Sequence, residues 1–480
     1  MASPYPDQTP EALRLRHEAS EAPVMASEKD CGIFSPPSPP PEEQLHIPSS
    51  DSIPSLEPVG PEDLPLVAVI GVGYVGTHLV ETFSQKFDVL GFEVSEQRIK
   101  SIEQDFAHNK RVKLTTNAAD LAEATHYLVS VPTLLLPNKA IDTSYLRNAL
   151  HTISCYARPG ATIVIESSVA VGMTRELVGP LAKEKGCFAG MSPERVDPGR
   201  VEPPVATIPK IISGLEDIMP GSIASIQKLY SAVFNKVIPV SRPEVAEMTK
   251  LYENCQRMMC IAYANEMADA CIPFGINPYE VCEAAATKPF GYMPFYPSAG
   301  VGGHCIPVNP YYLLSNSKFP LLKAATEKMW DRPAELARRT SESLEAANQE
   351  AAKQELARVS ISANKKPVLE RRAKSESFVG LPNVLVVGIG FKRGQSTLSN
   401  SPGLDLAKRL AESHKVNAYF ADPLVGQSAL PTVPKLAEDE WTYDRLKAFH
   451  SIIVTVRQDG LDFDILDQIK DSVRIEWWCT

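Results

Sequence analysis

The sequence predicts an α/β protein built as two Rossmann-like doubly wound domains joined by a helical core, and three observations predict it. From Leu66, the run LVAVIGVGYVGTHLVETF passes from a buried strand through a glycine turn into a helix. The apolar runs DVLGFEV, HYLVSVP and TIVIES follow, separated by helical stretches. That alternation belongs to a parallel sheet covered on both faces. Late in the chain, NVLVVGIGFKRG repeats the strand and glycine turn, and SPGLDLAKRLAES and VNAYFADP follow as helix and strand. Between the two patterns, residues 244–272 form a long helix with Met248, Leu251, Cys255, Met258 and Ala262 on one face, stopped by Pro273 and Gly275.

These elements divide the 480 residues. Residues 1–64 read as a disordered tail, rich in Pro, Ser and Glu, with SPPSPPP at Ser35–Pro41; an SH3-type ligand is the alternative reading of that run. Order begins at Leu66. A dinucleotide-binding domain is expected over 65–240, a central helical dimerisation domain over 241–335, a helical linker with a polar insertion over 336–380, and a C-terminal domain over 381–480. The insertion carries KKPVLERRAKSES, and the helix before it is expected to end near 355.

Composition narrows the function. A net charge of −10 lacks the basic footprint of a nucleic-acid binder. No apolar run is long enough to cross a membrane, and the first residues carry no signal-peptide core. The nine cysteines are scattered, with no CxxC pair and no metal-ligand spacing, which predicts reduced thiols and a cytoplasmic protein.

Gly71, Gly73 and Gly76 spell GVGYVG between the first strand and its helix. Gly71 permits the tight turn, Gly73 lets the backbone approach a pyrophosphate, and Gly76 lets helix and strand pack closely. Glu93 ends the next strand 17 residues after Gly76. A carboxylate there binds ribose hydroxyls and repels a 2′-phosphate, so NAD is expected rather than NADP. A glycine turn that binds nothing is the bland alternative.

Cys305 follows Gly300, Gly302 and Gly303 in GVGGHCIPVNPYY. Glycines bring a backbone close to a ligand, and a thiol on such a loop can add to an aldehyde. Lys250 and Asn254 lie four apart on the long helix, sharing a face from which an ammonium and an amide can hold an oxyanion. A solvated lysine beside a surface asparagine is the ordinary reading of such a pair. His304 reads as structural or substrate-lining, because neighbouring residues point apart.

With these residues in place, the chain resembles the UDP-glucose/GDP-mannose dehydrogenase family. GVGYVG, VPT (Val131–Thr133), ESSV (Glu166–Val169), MSPERVDPG (Met191–Gly199), the Lys250–Asn254 pair and GGHCIPVNPYYL occur in the family's order. The stretch from Lys288 to Pro310 is most similar to the branch acting on UDP-N-acetylhexosamines. The resemblance implies that Cys305 is the nucleophile, that Lys250 and Asn254 bind the oxyanion, and that Glu194 lies near the reacting carbon. Ser168 takes the place of a water-positioning threonine. Val72, Tyr74, Val75, Arg98, Val131, Pro132 and Thr133 join the three fingerprint glycines and Glu93 as NAD contacts. Gly300, Gly302, Gly303 and Lys392 join Glu194, Lys250 and Asn254 as contacts of a UDP-sugar. Two successive oxidations and hydrolysis of a thioester are implied, in a homodimer or larger homo-oligomer.

The chain also departs from the family. Asn309 stands where the family has an aspartate, leaving Lys250 without that carboxylate neighbour, and an amide cannot take a proton. Ser399 replaces an arginine, the loop around Phe106–Lys113 is shortened, and the ending RIEWWCT is atypical. The alternative reading is therefore a weakly active or inactive homologue that binds nucleotide sugar. A two-electron β-hydroxyacid dehydrogenase ranks lower, since it has no use for Cys305.

Overall fold

The computed structural model describes residues 56–60, 63–197, 200, 202–362 and 380–480. The Pro-rich run, residues 363–379 of the insertion, and Pro198 and Gly199 of the MSPERVDPG motif lie outside the described residues. The described residues divide into two compact units: one holds those from 56 to 256 together with Val308–Pro320, the other those of Arg257–Pro307 and Leu321–Thr480.

The first unit is built on a sheet of eight strands. They are β1 (Leu66–Ile70), β2 (Asp88–Phe92), β3 (Val112–Thr115) and β4 (His126–Val129), then, after the small hairpin β5 (Leu134–Leu135) and β6 (Ile141–Asp142), β7 (Thr162–Ile165), β8 (Phe188–Met191), β9 (Lys210–Gly214) and β10 (Val237–Pro239). Their spatial order is β3-β2-β1-β4-β7-β8-β9-β10, parallel except where β9 meets β8. Successive residues of one strand feed opposite cores. Ala68, Ile70, Tyr127, Val129, Ile163 and Ile165 pack on one face, and Val67, Val69, Leu128 and Val164 on the other. Burial on both faces is why these strands read as continuous apolar runs. Chain order reverses between β1 and β4, and a sheet of this kind binds ligands in the crevice at that reversal.

The second unit carries a four-stranded parallel sheet: β11 (Asn383–Val387), β12 (Asn417–Ala421), β13 (Ser451–Val454) and β14 (Arg474–Trp477), in the order β12-β11-β13-β14. It too is buried on both faces, with Val384 and Val386 in one core and Leu385 and Val387 in the other. The two doubly wound sheets match the predicted fold class.

Three details differ from expectation. Residues 56–60, 63 and 64 have defined contacts: Val59 packs on the first core and donates its N–H to the Pro159 carbonyl at 2.8 Å, while Arg158 donates to the Glu57 and Pro58 carbonyls and pairs with Asp63 at 2.7 Å. Backbone bonds and one ion pair hold this segment, which explains why apolar patterning did not mark it. The long helix, Pro243–Cys271, buries Leu251, Cys255, Met258 and Ala262, but Met248 is 38% exposed. At about 100° per residue, Met248 lies roughly 50° from the centre of that stripe, on its edge. The helix Pro320–Ser362 continues past the expected end at 355. Among the described residues, no helix is long and apolar enough to cross a membrane.

Candidate active site

The first strand delivers the chain into the crevice at Gly71, whose φ of +87° suits glycine. A side chain at Gly71 would press on Val131 at 3.1 Å, and one at Gly76 would overlap the Gly71 carbonyl. At Gly73, by contrast, an added Cβ would meet nothing within 4 Å. The turn is therefore closed at its two ends and open in the middle, where the helix Tyr74–Phe83 begins with Gly73 as its N-cap. Open backbone at a helix N-terminus suits a pyrophosphate. Ser130, at the end of β4, ties the turn down through a 2.7 Å bond to the Gly71 carbonyl and leads into Val131, Pro132 and Thr133. Half-buried Glu93 accepts from the Val72 N–H at 3.0 Å and the Ser95 N–H at 3.2 Å, while Arg98 donates to the Val72 carbonyl at 2.8 Å. Each Glu93 oxygen keeps a lone pair for a ribose hydroxyl. The residues present fit NAD: the fingerprint glycines would take its pyrophosphate and Glu93 its adenosine ribose.

Glu194, Lys250, Asn254 and Asn309 come together in the same unit, all buried. Lys250, 5% exposed, donates to the Glu194 carbonyl at 2.6 Å and pairs with its carboxylate at 2.9 Å. Asn254, fully buried, donates to the side-chain oxygen of Asn309, the first residue of the helix Asn309–Leu314. This excludes the solvated-lysine reading. It also corrects the expectation that Lys250 lacks a carboxylate neighbour, because Glu194 supplies one. Ser168 follows β7 and is half-buried. A cleft lined by Val75, His78 and Leu79 of the fingerprint helix is also lined by Glu166, Glu194, Arg195 and Lys210.

Cys305, Gly300, Gly302, Gly303 and Lys392 fall in the other unit. The three glycines are faced by protein rather than open space. Side chains at Gly302 and Gly303 would meet Phe391 at 3.0 Å, and one at Gly300 would meet Pro402 at 3.2 Å. These glycines let the loop lie close to the second sheet's own glycine-turn loop. Ser399 and Asn400 grip the loop as well. The Gly303 N–H donates to the Ser399 carbonyl at 2.9 Å, Asn400 donates back to the Gly303 carbonyl at 2.9 Å, and the Ser399 hydroxyl bonds His304 Nε2 at 2.7 Å. Cys305 is half-buried and forms no disulfide. Burial pushes the Cys187 and Cys479 thiols up to about 11 and the Cys255 thiol to about 12, so these three are poor nucleophiles.

Residues 66–234 match the NAD binding domain of the UDP-glucose/GDP-mannose dehydrogenase family, and residues 244–328 match its central domain. This chain belongs to that family. Its cofactor is NAD, and it is an oxidoreductase of the nucleotide-sugar dehydrogenase type. Among its relatives in the family, UDP-N-acetyl-D-glucosamine 6-dehydrogenase of Pseudomonas aeruginosa is 31% identical over 75% of this chain and 83% of that protein. UDP-N-acetyl-D-mannosamine dehydrogenase of Pyrococcus horikoshii is 32% identical over 75% and 84%. The solved structure of UDP-D-ManNAc dehydrogenase from Pyrococcus horikoshii superposes with a TM-score of 0.69 at 26% identity, covering 86% of this chain and 95% of that one. A UDP-glucose dehydrogenase from Pyrobaculum islandicum, at 18% identity and a TM-score of 0.68, shares the fold.

Sequence reasoning missed the roles of Lys210, Tyr230 and Arg195. Lys210 pairs with Glu166 at 2.5 Å, Tyr230 donates its hydroxyl to the other Glu166 oxygen, and Arg195 binds Glu253 at 2.6 Å. The one usable signal was Lys210 opening the strand KIISG ahead of the apolar pair Ile211 and Ile212, a position where a cation must find a partner.

Proposed function

We propose that this chain oxidises the C6 alcohol of a UDP-N-acetylhexosamine to the carboxylate, with Cys305 as nucleophile. The buried Lys250–Glu194 pair carries this reading, because Glu194 lines the cleft that also borders Val75 of the NAD-binding helix. NAD, when bound, takes up the electron pair of each oxidation. Lys250 and Asn254 hold the sugar oxygen as it gains negative charge. The thiolate of Cys305 adds to the aldehyde, the adduct is oxidised to a thioester, and water cleaves it to the acid and the free thiol. One alcohol, two NAD⁺ and one water thus give one carboxylate, two NADH and three protons. Glu194 is the carboxylate available to accept a proton from that water, in place of the aspartate that Asn309 replaces. The homologues' names point to N-acetylhexosamines.

The second reading, a weakly active homologue, rests on Asn309, whose amide faces Asn254 where a carboxylate is expected. A panel of UDP- and GDP-sugars with NAD⁺ separates the two. Two NADH per UDP-N-acetylhexosamine consumed supports catalysis; tight UDP-sugar binding without NADH supports the second reading. General-base assistance contributes roughly 10²–10⁴-fold. Under the second reading, in which Glu194 does not replace that assistance, a burst of NADH is expected before a slow, hydrolysis-limited phase, and Asn309→Asp should speed that phase while leaving the burst unchanged.

A homodimer is part of the proposal. The helix Pro243–Cys271 leaves Tyr252, Tyr263 and Met267 exposed, and exposed large apolar side chains mark association surfaces. Sedimentation should show a dimer or larger at micromolar concentration; a monomer alone refutes this part.

A further inference from the structure

The buried cluster of Glu166, Lys210 and Tyr230 takes no part in the steps above. Glu166 and Tyr230 are fully buried and Lys210 is 6% exposed. Glu166 is the first residue after β7 and Lys210 the first of β9. Besides its 2.5 Å bond to Glu166, the Lys210 ammonium donates to the Pro193 carbonyl at 3.3 Å. The next carbonyl, that of Glu194, accepts from Lys250 at 2.6 Å. Two lysines from different elements thus hold two consecutive carbonyls. The grip is reciprocal, since Arg195 donates to the carbonyl of Pro209, the residue before Lys210, at 2.8 Å. The Glu194 N–H in turn donates to the Glu166 carbonyl at 3.2 Å.

Fold stability does not account for such a cluster. Taking a lysine and a glutamate out of water costs about as much as their attraction returns, and an apolar pair of the same volume serves a core as well or better. β8 and β9 are already joined by the pairs Gly190–Gly214 and Met191–Ser213. What an apolar pair cannot supply is a cation on the Pro193 carbonyl. Nor can it supply a counter-charge for Glu166, whose carboxylate lines the same cleft as that of Glu194 and repels it.

We propose that Lys210 is a positioning residue: by neutralising Glu166 and holding the Pro193 carbonyl, it keeps the Glu194 carboxylate on Lys250. The alternating row Glu166–Lys210, Glu194–Lys250 places opposite charges side by side. Lys210 acts through Glu194, and the proposal rests on the role given to Glu194 above.

The test uses the full chain and the charge-neutral double variant Lys210→Met/Glu166→Gln, which removes the cation without stranding a buried carboxylate. Its melting temperature and its Kd for NAD should stay near those of the unmodified protein. With UDP-N-acetylglucosamine or UDP-N-acetylmannosamine, kcat should fall about 10–100-fold, since a displacement of about 1 Å in a reacting group has that effect, while KM changes less than threefold. A crystal structure of the variant should show Glu194 withdrawn from Lys250. Lys210→Arg, which keeps a cation within reach of the Pro193 carbonyl, should restore part of kcat. An unchanged kcat with the Glu194–Lys250 contact intact overturns the proposal. If the unmodified protein yields no NADH with any UDP-sugar, the functional reading fails, and the crystal structure alone decides whether Lys210 positions Glu194.

Discussion

The protein contains the same device twice, and only one copy is open. In the first sheet, β1 ends in Gly71-Val72-Gly73 and the acid at the end of the neighbouring β2 is Glu93; in the second, β11 ends in Gly388-Ile389-Gly390 and the acid after β12 is Asp422. Both carboxylates accept an N–H from the glycine turn at 3.0 Å, from Val72 in one case and Gly390 in the other. The surroundings differ. Glu93 is half-buried, whereas Asp422 is 2% exposed, accepts a further N–H from Leu424 at 2.9 Å and touches the Gln458 amide at 3.4 Å. A side chain added at Gly73 meets nothing, but one at Gly390 would lie 2.6 Å from the Gln395 carbonyl and 2.8 Å from the Gln458 amide. The helix that begins at once after the first turn is delayed in the second to Pro402, capped by Ser401. The intervening loop carries Phe391, Ser399 and Asn400 onto the loop of Cys305. An open turn serves a cofactor; a turn filled by its own chain becomes scaffold for another loop.

Adding one methyl group to each turn separates the open turn from the filled one. Gly390→Ala should destabilise the fold by about 1–3 kcal/mol, the usual cost of overpacking, seen as a lower midpoint in urea. Gly73→Ala should unfold at the same midpoint as the unmodified protein yet bind NAD at least about tenfold more weakly, a loss of roughly 1.4 kcal/mol. Equal effects on folding at the two positions would mean that the turns are not differently filled.

A smaller effect separates the two acids. Glu93→Ala should leave the fold intact and narrow the preference for NAD over NADP by about tenfold, the size of one screened charge repulsion. Equal affinities for the two cofactors in the unmodified protein would remove the basis for assigning Glu93 to the ribose. Asp422→Asn should instead cost stability, about 1–3 kcal/mol for buried N–H groups left without an acceptor. Burial raises the Asp422 carboxyl above its ordinary value of 3.8, so the native state takes up this proton before the unfolded chain does. The contribution of that titration is fully present below pH 3.8 and is lost as pH rises through the raised native value. The stability gap between the unmodified protein and the Asp422→Asn variant should therefore be widest in acid and narrow toward neutral pH.

The sequence made the open turn legible because each constraint there is local. Gly71, Gly73 and Gly76 lie within six residues, and Glu93 ends the next strand. Both sheets were visible because burial on two faces leaves unbroken apolar runs such as VAVI and VLVV. What stayed hidden depends on distant partners. Lys210 and Glu166 are 44 residues apart, and Ser399 and His304 are 95 apart. A lysine and a glutamate that bury each other look, in sequence, like surface residues. The absence of the expected aspartate at Asn309 was visible, but the carboxylate that pairs with Lys250 was not, because Glu194 lies 56 residues away. In sequence the glycines before Cys305 read as room for a ligand, and only the structure shows Phe391 and Pro402 beside them.

The central claim is that Cys305 carries the sugar through covalent oxidation to the acid, and Cys305→Ser tests it most directly. The unmodified protein and the variant are each incubated with NAD⁺ and the UDP-N-acetylhexosamine selected by the panel, and acid formation is followed by mass spectrometry alongside NAD binding by titration. The account predicts unchanged NAD affinity and no acid from the variant; acid production at the unmodified rate would contradict it.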